Sequence, residues 1–197
     1  MILSLQGCMA VGKTTAVRYL QKNAPYLHIS YEDTAGVIEE VKRRHLDKNK
    51  YEDYLEIQKL WLENEVVRWN KAQAFPDSIM DFGAEEIEFY TLNYPGSIGQ
   101  NWEVEQALQK ELAAVRQCMP RRILFLDASD AVLRQRKEND ATRSRTFFEH
   151  HLTAFLPLKR RWFLSKANVD VLRVDTLSAE EVGKAVKAWA DGCLESD

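Results

Sequence analysis

The sequence lacks the features that announce several kinds of protein. Three cysteines, Cys8, Cys118 and Cys193, lie far apart in 197 residues. No CxxC pair occurs, so neither a disulfide framework nor a zinc site is expected. No stretch approaches the ~20 consecutive apolar residues of a membrane-spanning helix. The opening Met1-Ile2-Leu3-Ser4-Leu5 carries neither the basic nor the long apolar segment of a secretory signal. A cytoplasmic location with no membrane partner is the expectation. Neither sign of charge dominates: 27 Lys+Arg against 30 Asp+Glu leave a formal net charge of −3, and no global positive field favours DNA. With 5 prolines, 8 glycines and no repeat, low-complexity tract or linker, no domain boundary is visible. One domain over residues 1–197 is expected. A chain of this length buries roughly 70% of its unfolded surface and needs no disulfide or metal to fold.

What is present is alternation. Five β-like runs, Ile2–Gln6, Tyr26–Ser30, Ser78–Phe82, Arg122–Asp127 and Val169–Asp175, are separated by segments of 3.6-residue periodicity. Val104, Leu108, Leu112 and Val115 make one face of a helix that Asn101 could cap. Ser178 with Glu181 forms a capping box opening a last helix that carries Val182, Val186 and Trp189. Such alternation predicts an α/β fold, a three-layer α/β/α sandwich around a five-stranded parallel sheet. The 45 or so residues between the second and third runs exceed one crossover helix. Residues 34–75 are expected to form a helical insertion with two helices, around Thr34–Arg44 and Tyr51–Ala74. The second is rich in aromatics, among them Tyr51, Tyr54, Trp61 and Trp69; it could wall a substrate pocket, pack in the core or serve a homodimer interface.

One local pattern is specific. Gly7-Cys8-Met9-Ala10-Val11-Gly12-Lys13-Thr14 fits G-x-x-x-x-G-K-[ST], directly after an apolar strand and before a helical pattern containing Ala16, Val17 and Leu20. Gly7 and Gly12 permit backbone conformations and close approaches that a Cβ would block. The loop amides, continuing to Thr15, can then converge on phosphate oxygens. Lys13 is expected to reach the β/γ-phosphates and Thr14 to ligate magnesium, while the helix dipole adds to the anion site. ATP with Mg²⁺ is the expected ligand. An Asn-Lys-x-Asp guanine motif is missing, which argues against a GTPase.

The chain resembles the P-loop nucleoside and nucleotide kinases, including the deoxynucleoside and thymidylate kinases. Beyond the P-loop, three features carry the resemblance. The second run ends in Tyr31-Glu32-Asp33, where the family places a general base; the resemblance implies Glu32, with Asp33 as substitute. The third run ends in Asp81, where the family has an acidic residue serving magnesium. Its next residue there is an arginine, but this chain has Phe82. Arg134, Arg136, Lys137, Arg143 and Arg145 resemble the family's Arg-rich lid over residues 134–149, with Arg143 and Arg145 closing on the phosphates. Gln58 lies on the helix corresponding to the one from which deoxynucleoside kinases read a base, although the surrounding pattern is poor and a surface glutamine is the better reading. Lys159-Arg160-Arg161 read as the polar side of an amphipathic helix, and His150 and His151 as lid or surface residues.

The implied activity is γ-phosphoryl transfer from Mg·ATP to a small acceptor, a nucleoside or nucleotide. Lys13, Glu32, Asp81, Arg143 and Arg145 are its candidate catalytic residues, Gly7 to Thr15 the cradle, and Thr14 with Asp81 the metal ligands. Two alternatives stand beside it. One is a kinase of a sugar, antibiotic or other metabolite, which Phe82 favours; the other is an ATP-binding regulator with little transferase activity.

Overall fold

The computed structural model describes residues 1–139 and 147–195. Five strands, β1 (Ile2–Gly7), β2 (His28–Ser30), β3 (Ser78–Asp81), β4 (Arg122–Asp127) and β5 (Val169–Arg173), form one sheet in the order β2-β3-β1-β4-β5. Every pairing is parallel; Leu3 of β1 sits between Ile79 of β3 and Arg122 of β4. Sheets of this kind are covered on both faces, so their strands read as nearly continuous apolar runs. Ile123, Leu124, Phe125 and Leu126 of β4 are all buried. At the sheet edge, β5 alternates half-buried and exposed residues instead.

Helices α1 (Lys13–Asn23), α2 (Ala35–Arg43), α3 (Tyr51–Ala72), α4 (Ala84–Ser97), α5 (Val104–Ala107), α6 (Gln109–Val115), α7 (Asp130–Glu138), α8 (Phe148–His150), α9 (Leu156–Leu164) and α10 (Ala179–Glu195) surround the sheet. A π-helical turn, His151–Phe155, joins α8 to α9. The long crossover from β2 to β3 holds α2 and α3, as its length implies. The helix expected over 104–115 divides at Leu108 into α5 and α6. Its four apolar residues are all buried, but Asn101 caps nothing and is exposed. The Ser178 box does form: the Ser178 amide donates to Glu181 Oε2 at 2.8 Å and the Glu181 amide to Ser178 Oγ at 3.3 Å.

Helix α10 packs on α1 through a bare position. A Cβ built on Gly183 would lie 2.3 Å from Cγ and 2.6 Å from Cβ of Tyr19. These atoms sit near the Tyr19 backbone and cannot swing away, so the two helices would have to separate. Gly183→Ala is expected to destabilise the protein by about 1–3 kcal/mol, the usual cost of overpacking, and thermal denaturation would show the fall.

The chain leaves β1 for β2 and β3 on one side and returns to β4 and β5 on the other. The carboxyl end of β1 therefore lies at the crevice where open α/β sheets bind ligands.

Candidate active site

The loop after β1 has the geometry of an anion cradle. Gly7 takes φ 140°, and a Cβ there would lie 2.4 Å from the Leu126 carbonyl oxygen, so only glycine fits beside β4. Ala10 (φ 65°) and Gly12 (φ 113°) are also left-handed. For Ala10 this is an uncommon conformation. Gly12 precedes α1, whose first turn holds no acidic side chain and no side-chain cap. Its leading amides are thus left for an external anion. Lys13 folds back over the loop, its Nζ donating to the carbonyls of Gly7 at 2.8 Å and Cys8 at 3.1 Å. The loop from Gly7 to Thr15 lines a cavity of about 1010 Å³.

Glu32, Asp81 and Glu86 line the same cavity. Glu32 opens onto it and is exposed, but protein surrounds the rest of its carboxylate. Desolvation, then the neighbouring Asp81 charge, raises its pKa above the ordinary glutamate value. Desolvation and then Lys159 lower the pKa of Lys13, against the opposing pull of Asp81 and Glu86. Asp33 lines neither this cavity nor the next; its carbonyl accepts from Asn64 Nδ2 at 2.8 Å.

Phe82, where the resemblance led us to expect arginine, has φ 44°, a strained value for a bulky side chain. An arginine does reach it from α3. The Arg68 guanidinium stands 5.7 Å from the Phe82 ring centroid. It donates to the Phe82 carbonyl, to the Ser30 carbonyl at 3.2 Å, and to both Glu65 oxygens at 2.9 Å. Burial raises the Glu65 pKa and Arg68 opposes the rise. Arg68 is 5% exposed and committed to these partners. Its effect is to tie together the ends of β2 and β3, just ahead of Glu32 and beyond Asp81.

A second cavity, about 270 Å³, shares Glu32, Phe82 and Glu86 with the first. Its walls include Gln58, Trp61, Tyr90 and Lys48. Gln58 is not a surface residue: it is 2% exposed, and its Oε1 accepts from Thr91 Oγ1 at 2.9 Å. Lys48 also stacks over Phe147, 3.6 Å from its ring centroid.

Of the basic cluster, Arg143 and Arg145 lie outside the described residues. Arg134 pairs with Glu149 at 3.1 Å on the surface. Arg136 lines the first cavity and donates to the carbonyls of Val11 (2.9 Å), Val174 (2.7 Å) and Leu177 (3.2 Å). Two sequence readings need correction. His151 lines the first cavity, where burial, and then Lys159, lower its pKa to about 4, so its imidazole is neutral near pH 7. Lys159 is 7% exposed and faces the P-loop. The available signal was periodicity: Leu156, Lys159 and Phe163 fall on one helix face, so Lys159 sits on the apolar side of α9.

No family profile and no curated protein sequence matches this chain. Solved structures do. A deoxyadenosine kinase of M. mycoides with bound dATP superposes with a TM-score of 0.74 at 12% identity, covering 97% of this chain and 100% of that one. The same enzyme with bound dCTP gives 0.68 at 12%, over 98% and 100%. The thymidylate kinase of Candida albicans gives 0.68 at 13%, over 100% and 93%. Along nearly its whole length, the chain has the P-loop fold of the nucleoside and nucleotide kinases.

Proposed function

We propose that the protein transfers the γ-phosphoryl group of ATP to a hydroxyl of a small acceptor, most simply a nucleoside. The observation that carries this reading is the meeting, in one cavity, of the Lys13 cradle with Glu32 and Asp81. In this reading the loop amides and Lys13 hold the phosphates and stabilise charge on the equatorial oxygens. Arg143 and Arg145 would add cations from the lid, and Arg136 holds the wall of the cavity. Thr14 and Asp81 supply the hard oxygen donors that suit Mg²⁺, which when bound neutralises phosphate charge. Among the described residues no three His, Cys, Asp or Glu make a metal cage; Mg²⁺ in phosphotransferases draws on one or two carboxylates plus the substrate phosphates. Glu32 accepts the proton of the attacking hydroxyl.

The second cavity supports a flat, largely apolar acceptor between Trp61, Phe82 and Tyr90, with Gln58 fixed to hydrogen-bond its edge. The same cavity favours a hydroxyl over a phosphate. Where it meets the cradle it presents Glu32, an anion that would repel a monophosphate, while Glu86 beside it is paired with Lys159 and Arg68 is engaged elsewhere. A panel of nucleosides, nucleoside monophosphates and sugars tests the choice. Nucleosides should be phosphorylated fastest, and a preference for monophosphates would overturn it.

The pH profile is a second check. Glu32 works deprotonated and its pKa is raised. As pH falls, kcat/KM should therefore begin to drop above the ~4.3 of an unperturbed glutamate. A profile that begins to fall only below the ~4.3 of an unperturbed glutamate would exclude Glu32 as the base.

A further inference from the structure

We propose that Lys159 is a second phosphate-binding cation of this site, delivered by α9 to the P-loop. The inference rests on the kinase reading above and extends it to a residue that the lid and strand-end motifs do not include. Lysine on the core-facing side of a helix is costly unless its charge is met. Here it lies between Leu156 and Phe163 on the buried stripe of α9, 7% exposed. Its Nζ is 2.7 Å from Glu86 Oε2 and donates to the Gly7 carbonyl at 3.1 Å. Lys13 donates to the same carbonyl oxygen at 2.8 Å. Two ammonium groups, the buried one of Lys159 and the half-buried one of Lys13, thus converge on one atom of the cradle, with both side chains lining the first cavity.

A structural brace between α9 and the P-loop would need only one cation at that carbonyl, and Lys13 already provides it. Placing a second ammonium there adds like-charge repulsion in a poorly solvated site. Glu86, paired with Lys159, and Asp81, acting on Lys13, compensate part of it. A polyphosphate in the cradle would compensate the rest, because its oxygens would lie between the two lysines. Phe82 cannot supply a cation, and Arg68 is buried and committed to Glu65 and two carbonyls. Lys159 fills that role from a different element of the chain.

Binding of inorganic tripolyphosphate and of ATP, measured by titration calorimetry, tests the assignment apart from turnover. Lys159→Met keeps the length and packing of the side chain but removes the charge. Lys159→Met combined with Glu86→Gln removes both charges, so that no buried carboxylate is left unpaired if the single variant folds poorly. Lys159→Met should bind tripolyphosphate about tenfold or more weakly than wild type, and the double variant about tenfold or more weakly than Glu86→Gln alone, since charge-assisted contacts of this kind are strong. Lys159→Arg should recover part of the loss. Wild-type affinity for tripolyphosphate in Lys159→Met, or equal affinity in the double variant and in Glu86→Gln alone, would overturn the role of Lys159 and leave the kinase reading intact. A wild-type protein that binds neither ATP nor tripolyphosphate would overturn both.

Discussion

Replacing Lys13 with alanine should lower phosphoryl transfer by about 10²–10³-fold, the usual loss when one preorganised charge is taken from a transition-state site. The direction follows from where Lys13 sits. Its ammonium is held over the cradle by the Gly7 and Cys8 carbonyls and is largely desolvated. Little reorganisation separates it from phosphate oxygens entering the loop. The fold should tolerate the change. Helix α1 is anchored by Ala16, Val17 and Leu20, and Lys159 still donates to the Gly7 carbonyl. Steady-state kinetics with a thermal melt alongside would separate the two effects. A variant with an unchanged melting temperature and wild-type turnover would remove the P-loop from the mechanism.

Glu32→Gln should reduce kcat by about a hundredfold or more, within the range for general-base catalysis. Glutamine keeps the shape and the hydrogen-bonding reach but cannot take the proton. Glu32 lines both cavities, so its carboxylate stands where an acceptor in the second would meet phosphate in the first. Binding of ATP alone should change little, because Glu32 is not part of the loop. Asp33→Asn is the comparison variant. Asp33 lines neither cavity, and its replacement should leave kcat within a few-fold of wild type. Were Asp33→Asn the slower enzyme, or Glu32→Gln close to wild type, Asp81 or Asp33 would take the base's place.

These residues differ in how far the sequence disclosed them. The cradle is contiguous, and its chemistry demands glycines and lysine at fixed spacing, so eight letters suffice. The five strands were legible because a sheet covered on both faces writes long apolar runs, as in β4. Three strands stop short of their runs: β2 begins at His28, after Tyr26 has turned outward to hydrogen-bond Asp191, β3 ends at Asp81 before the left-handed Phe82, and β5 ends at Arg173. The capping box of Ser178 and Glu181 is equally local. Lys159, His151 and Arg68 were hidden for the opposite reason. Each acquires its surroundings from elements distant in the chain: Lys159 from Gly7 and Glu86, Arg68 from Ser30 and Phe82. A lysine among arginines and a tryptophan reads as surface until the π-helical turn and α9 show which face is inward. Gln58 illustrates the same point, since its burial depends on Thr91 of α4.

The most direct test is to incubate the protein with Mg²⁺, γ-labelled ATP and a mixture of nucleosides, and to ask where the label goes. The expected result is acceptor-dependent transfer onto a nucleoside hydroxyl, with ADP formed in equal amount. Tight ATP binding with no label on any nucleoside, nucleotide or sugar would contradict a kinase and leave a nucleotide-binding regulator built on the same cradle.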